Sequence, residues 1–149
     1  CGLIMAVLSY FNEQSSGTGV NVIMGFLFNQ TPPSLILFIS RYLATTISYL
    51  SGAAGGIFSP SLAMGGSLGA YVGHFIAPGH PNLMVLLGMI GFLTGVTRTP
   101  FTAFILVLEM TDRHSAIFPM MIAALTAHWI ARLVESNSFY ENVKHRYLA

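Results

Sequence analysis

The sequence predicts an all-α membrane protein, a multi-helix bundle with broken and re-entrant helices. Three observations carry that expectation. Hydrophobic residues make up 54% of the 149 positions and charged residues only 7%, against about 25% charged in ordinary soluble domains, which is too few to cover a water-facing surface. No Asp, Glu, Lys or Arg occurs in the 56 residues from Tyr42 to Thr97. The apolar segments are short and separated by Gly and Pro, a pattern of helices that end inside the membrane and aim their termini at a buried site. At about 20 residues per full span, the chain has room for about five or six crossing or half-crossing helices.

Each segment follows from its punctuation. Residues 1–11 are apolar and read as the tail of a helix, and the polar, glycine-bearing stretch 12–19 reads as a loop. Val20–Phe28 is apolar but too short to span alone. Pro32 and Pro33 open a long apolar helix to about Leu50, interrupted only by Arg41. A glycine hinge over residues 51–56 precedes a helix from about Phe58 to Ile76. Pro78-Gly79-His80-Pro81 is a turn. A further apolar helix over 83–96 is broken by Thr97-Arg98-Thr99-Pro100, resumes over 101–110, and reaches an aqueous boundary at Asp112-Arg113-His114. Residues 116–134 are long enough to cross once. Ser136-Asn137-Ser138 links them to a short amphipathic helix over 139–148.

Composition also narrows function. A net charge of +1 suggests neither nucleic acid nor an acidic protein as partner. The single cysteine, Cys1, excludes an internal disulfide framework and a cysteine-based metal cluster. His74, His80, His114, His128 and His145 lack H-E-x-x-H or clustered ligand spacing, so no metal and no cofactor is expected. The chain begins in an apolar run without Met or a basic flank, and reads as a piece of a longer protein rather than a signal peptide. Lys144, His145 and Arg146, with Arg132 upstream, favour a cytoplasmic C-terminus for a multi-pass protein of the cell membrane.

The richest stretch is Gly55-Gly56-Ile57-Phe58-Ser59-Pro60. Glycines before a helix let the backbone turn sharply, and proline fits a first helical turn because its missing N–H has no intrahelical acceptor there. The first N–H groups of a helix are unpartnered and carry the positive end of its dipole. Placed inside a membrane, such an end is an anion site that needs no cationic side chain. Transport of a small anion is therefore the first functional expectation, with Gly56, Ile57, Phe58 and Ser59 as candidate anion-binding residues. Ser59 can instead cap its own helix.

Other features have plainer readings. Gly65, Gly69 and Gly73 fall on one helix face and suit close helix packing, and Gly91 and Gly95 are expected to repeat the arrangement in the next helix. Gly65-Gly66-Ser67-Leu68-Gly69 matches the G-x-S-x-G pattern of hydrolase elbows, but that motif needs a strand-to-helix turn, and here it lies inside an apparent helix. The chain is not expected to be an enzyme. Arg41 and Glu109 lie in or near apolar segments, where pairing or snorkelling is the commoner role. Tyr140 by itself reads as an interfacial anchor, although its hydroxyl can donate to an anion without bringing charge.

These residues together resemble a known family. Gly55-Gly56-Ile57-Phe58-Ser59-Pro60 with Leu62-Ala63-Met64-Gly65 is similar to the G-G-I-F-x-P signature of the CLC chloride channels and chloride/proton exchangers, a family that includes voltage-gated chloride channels. Arg98-Thr99-Pro100-Phe101-Thr102, running into Ile105-Leu106-Val107-Leu108-Glu109-Met110-Thr111-Asp112, resembles a second typical stretch. Phe139-Tyr140 falls where that family carries its anion-binding tyrosine. The resemblance implies that residues 1–149 are a single membrane-domain fragment, the second half of an inverted-repeat CLC-type fold. It implies chloride as substrate, held by the backbone N–H groups of Ile57 and Phe58 and by the Tyr140 hydroxyl, with protons as a further cargo in the exchangers. It also implies a homodimer in the lipid bilayer, built through the helices over 101–110 and 116–134. The family's G-S-G-I-P segment and G-x-E-G-P gating glutamate belong to its first half, and neither occurs here, so transport needs the missing N-terminal half of the parent chain. Ser59 stands where several relatives have alanine, and Tyr140 departs from the fluoride-exporting branch. The rival reading is another inverted-repeat secondary transporter, for a different ion or an organic anion.

Overall fold

The computed structural model describes residues 10, 17, 19–28, 34–51, 56–77 and 79–135. All regular structure among them is helical: α1 (Val20–Phe28), α2 (Leu35–Leu50), α3 (Phe58–Ile76), α4 (Pro81–Thr97), α5 (Pro100–Thr111), a 3-10 turn (His114–Ala116) and α6 (Ile117–Val134). The all-α class and the order of apolar segments are as expected. The expectations for residues 1–9, 11–16 and 52–55, for Pro32 and Pro33, and for 136–149 lie outside the described residues.

Local chemistry explains the boundaries. Pro81 and Pro100 occupy the first positions of α4 and α5, where a fixed φ and a missing N–H cost nothing. Both helices therefore begin slightly earlier than their apolar runs. Both end on a left-handed residue that is not glycine: Arg98 (φ 62°) closes α4 and Asp112 (φ 50°) closes α5. Their N–H groups donate back to Thr94 O at 2.8 Å and Leu108 O at 2.9 Å, so each left-handed residue terminates its helix and reverses the chain. Beyond Asp112, whose carboxylate meets His114 Nδ1 at 3.1 Å in the open, the 3-10 turn leads into α6.

The centre is the α3–α4 pair. Leu62, Ala63 and Met64 of α3 and Val85, Leu86, Met89, Ile90 and Leu93 of α4 are buried. α1 and α2 flank α3, and α6 packs on α4 and α5. Small residues set the distance between the two central helices. A Cβ added at Gly65 or Gly69 would run into the backbone carbonyl of Gly88 or Met84, and one at Gly73 into the Met84 side chain. The expected packing face on α3 is thus present, but the one expected at Gly91 and Gly95 is not found among the described residues. Among the described residues an added Cβ at Gly91 or Gly95 meets nothing within 4 Å, whereas Gly88 sits directly on Gly65 and Gly69. The close approach runs along α4 from Met84 to Phe92. Gly95 lies seven residues beyond Gly88, roughly 10 Å further along the axis.

Arg41 is buried, at 4% exposure, with its guanidinium turned against Gly19 at the start of α1 rather than reaching outward. Gly19 itself has φ 81°, and an added methyl would overlap Ala63 and Arg41. Gly19→Ala is therefore expected to destabilise the protein by about 1–3 kcal/mol, read as a lower midpoint of thermal unfolding in detergent. An unchanged midpoint would mean that α1 docks loosely on α3.

The segment His114–Val134 (21 residues) is long and apolar enough to cross a bilayer, and Leu35–Leu50, Pro81–Thr97 and Pro100–Thr111 are shorter apolar helices. Only Met120 and Ala124 of α6 are buried, while Phe118, Ile122, Trp129 and Leu133 are exposed. Such an apolar outer surface suits lipid or protein contact rather than water.

Candidate functional site

The helix start that the sequence singles out is the start of α3. Ile57 is the N-cap residue, already helical at φ −86° and ψ −27°, and its side chain makes no cap hydrogen bond. The hydrogen-bond ladder begins at Ser61, whose N–H donates to Ile57 O at 3.1 Å. The N–H groups of Ile57 and Phe58 precede that ladder, and Pro60 has none to offer. An apolar N-cap residue brings to the positive helix end no side-chain acceptor of the kind that Ser, Thr, Asp or Asn would supply. Ser59 is the second residue of the helix, and the N-cap position belongs to Ile57.

Gly56 and Phe58 are exposed, and Ile57 and Ser59 are half-buried. The described residues therefore leave this helix end open rather than enclosing it. A cavity of about 460 Å³ lies at the other end of α3, beside the α3–α4 turn, where Gly79, His80, Asn82, Arg113, Ser115 and Pro119 line it. It has no part in the α3 start. Gly56, Ile57, Phe58 and Ser59 are consecutive and so necessarily together, while Tyr140 lies outside the described residues.

The hydrolase-like motif resolves into packing. Ser67 is fully buried in the middle of α3, and its hydroxyl donates to the Met64 carbonyl at 2.9 Å. A serine tied back to its own helix turn is structural. Ser67→Ala is expected to change stability by less than about 1 kcal/mol and to leave anion flux unchanged. Loss of flux at wild-type stability would contradict the packing role.

Arg98 is the residue that sequence reasoning passed over. Its guanidinium Nη2 donates to the backbone carbonyl of Glu135, just beyond α6. The turn around it is braced by Thr97, whose buried hydroxyl donates to Leu93 O at 2.8 Å and lies 2.8 Å from the Thr99 hydroxyl. The only sequence signal was a cation inside a Thr-Arg-Thr-Pro break. Glu109 is exposed near the end of α5.

Short apolar helices, reversed on proline starts and left-handed ends and wrapped in an apolar surface, define a membrane protein of the broken-helix class. The chain matches the family model described as voltage gated chloride channel over residues 1–132, and it belongs to that family. It is 34% identical over 156 aligned residues to an H(+)/Cl(-) exchange transporter ClcA of Citrobacter koseri, covering 99% of this chain and 33% of the relative. It is 35% identical to the ClcA of Klebsiella pneumoniae over 99% of its own length. It is 33% identical over 147 residues to the voltage-gated ClC-type chloride channel ClcB of Salmonella typhimurium, covering 93% of this chain and 35% of that one. The chain thus spans about a third of the length of the relatives it matches.

Proposed function

We propose that this chain is the second inverted repeat of a chloride-transporting membrane protein, and that it supplies one side of the anion site. The observation that carries this reading is the start of α3 at an apolar N-cap residue, led by a glycine hinge, in a stretch of chain with no charged side chain from Tyr42 to Thr97. Chloride entering there sheds part of its water, and hydrogen bonds from Ile57 N–H, Phe58 N–H and the Tyr140 hydroxyl take its place. Each charge-assisted bond contributes about 1.5–3 kcal/mol. Three such donors, two of them in a stretch without Lys or Arg, hold the ion, but weakly enough to release it, and conduction needs both.

The rest of the pathway, including the group that gates it, is assigned to parts of the full-length protein beyond this chain. That assignment accounts for the open face around Gly56 and Phe58. The exposed apolar residues of α5 and α6, among them Phe101, Ile105, Ile122 and Trp129, fit a homodimer contact within the bilayer, and the basic cluster at Lys144 and Arg146 fits a cytoplasmic C-terminus.

The experiment is flux. The full-length protein is reconstituted in liposomes with an outward chloride gradient, and chloride efflux and proton movement are recorded together. Chloride efflux is expected. Protons driven inward against their gradient identify an exchanger like the ClcA relatives, and efflux without proton coupling identifies a channel like ClcB. No chloride efflux from folded protein overturns the proposal and favours a carrier of another ion.

A further inference from the structure

We propose that the cavity beside the α3–α4 turn and the apolar groove next to it together hold one anionic phospholipid, with Arg113 on its phosphate.

The cavity lies where two corners of the fold meet. One is the α3–α4 turn, with His80 at the N-cap of α4. The other is the connection from α5 to α6. Asp112 ends α5 in a left-handed conformation, and Arg113 opens the 3-10 turn at φ −96° and ψ 63°, so Arg113 stands in the corner rather than along a helix face. His80, Arg113 and Ser115 bring polar side chains to a space of about 460 Å³, and Leu83, Leu86 and Ala116 give it apolar wall. That volume falls within the roughly 300–1,000 Å³ of small-molecule sites. The arginine is not neutralised by its acidic neighbour. The Asp112 carboxylate lies 3.1 Å from His114 Nδ1, and Arg113 makes no ion pair among the described residues. A guanidinium presents its donors in a planar fork that takes phosphate oxygens two at a time. The Ser115 hydroxyl and an imidazole N–H of His80 add further donors. This set suits an anion with several oxygens.

Arg113 also lines a second concavity, and there the surroundings are apolar. Val20, Ile23, Met24, Leu27 and Phe28 of α1, with Met110 near the end of α5, form its wall. The five α1 residues recur at i, i+3, i+4, i+7 and i+8, which is one stripe of a helix. The stripe covers roughly 12 Å of helix axis at 1.5 Å per residue. Met24 and Phe28 are exposed along it, at 49% and 70%. A polar cavity and an apolar stripe that share one arginine match the two parts of a lipid, its headgroup and an acyl chain. The depth agrees as well. The cavity sits at the start of His114–Val134, the segment long and apolar enough to cross a bilayer, and basic pockets between membrane helices are where anionic headgroups lodge. Free phosphate would use the cavity alone and leave the exposed stripe uncovered.

Lipid retention tests the proposal. The full-length protein is stripped of lipid in detergent and titrated with dioleoyl phosphatidylglycerol, or with dioleoyl phosphatidylcholine, whose headgroup is zwitterionic. Bound lipid is counted by native mass spectrometry, and the phosphatidylglycerol titration is repeated with inorganic phosphate as competitor. The variants are Arg113→Gln, Met24→Gln and Arg132→Gln, each with its thermal midpoint. Arg132 is exposed near the far end of α6 and controls for the loss of a positive charge. Phosphatidylglycerol is expected to be retained in preference to phosphatidylcholine. Arg113→Gln should weaken that retention about tenfold, the scale of one charged hydrogen bond. Met24→Gln should weaken it as well, Arg132→Gln should not, and inorganic phosphate should leave the lipid in place. Displacement by inorganic phosphate would overturn the lipid assignment in favour of a free anion. Equal retention of the two lipids, or wild-type retention in Arg113→Gln at a wild-type midpoint, overturns the site itself, and another part of the full-length protein then fills the cavity.

Discussion

Gly88→Ala should loosen or unfold the protein, although alanine is the better helix former. In an open helix position the exchange gains about 1 kcal/mol. At Gly88 the new methyl would land on the carbonyl oxygen of Gly65 and the backbone of Gly69, and backbone cannot rotate aside as a flexible side chain can. The net cost is expected at about 1–3 kcal/mol, enough to lower the thermal midpoint in detergent or the yield of folded protein. Gly91→Ala is the internal control, since a Cβ there meets nothing within 4 Å among the described residues, and it should fall at or above wild type. Equal stability of the two variants would mean that α3 and α4 do not pack through Gly88. The contact matters beyond stability, because α4 holds α3 in place and the start of α3 is the proposed anion end.

Removing the tyrosine hydroxyl should weaken chloride binding without unfolding anything. Tyr140→Phe keeps the ring and deletes one donor. A charge-assisted hydrogen bond is worth about 1.5–3 kcal/mol, so affinity by calorimetry should fall about 10- to 100-fold. Tyr140→Ala should do at least as much and also loosen proton coupling if the full-length protein is an exchanger. Unchanged chloride affinity in both variants would take Tyr140 out of the site and leave the helix start as its only support on this chain.

The fold was legible where composition and punctuation agreed. Proline at 81 and 100, the glycine hinge ending at Gly56, and apolar runs between them mark where helices start and stop, because each acts through the local backbone. Pairing between helices was less accessible. The face Gly65–Gly69–Gly73 was visible as a four-residue spacing, but nothing marked Gly88 as the residue packed on it, and the regular pair Gly91 and Gly95 has no close neighbour among the described residues. Which turn of one helix meets which turn of another depends on the crossing of the two axes, and no local pattern encodes that. Arg98 was hidden for a related reason. Its value lies in a contact with Glu135 across 37 positions, made possible by a left-handed backbone that a chain of L-residues rarely advertises. The start of α3 near Phe58 could be read from the sequence, whereas Ile57 as its N-cap residue emerged only from the structure. Tyr140 entered by resemblance alone, because a lone tyrosine after an apolar helix carries no signal of its own.

The central claim is that an anion binds at the start of α3, and bromide tests it most directly. Crystals of the full-length protein grown in bromide in place of chloride would be measured at the bromine absorption edge. An anomalous peak within hydrogen-bonding distance of the Ile57 and Phe58 N–H groups and the Tyr140 hydroxyl is the predicted result. Clear density for α3 with no peak at its start, in crystals that hold bromide elsewhere in the protein, would contradict the account.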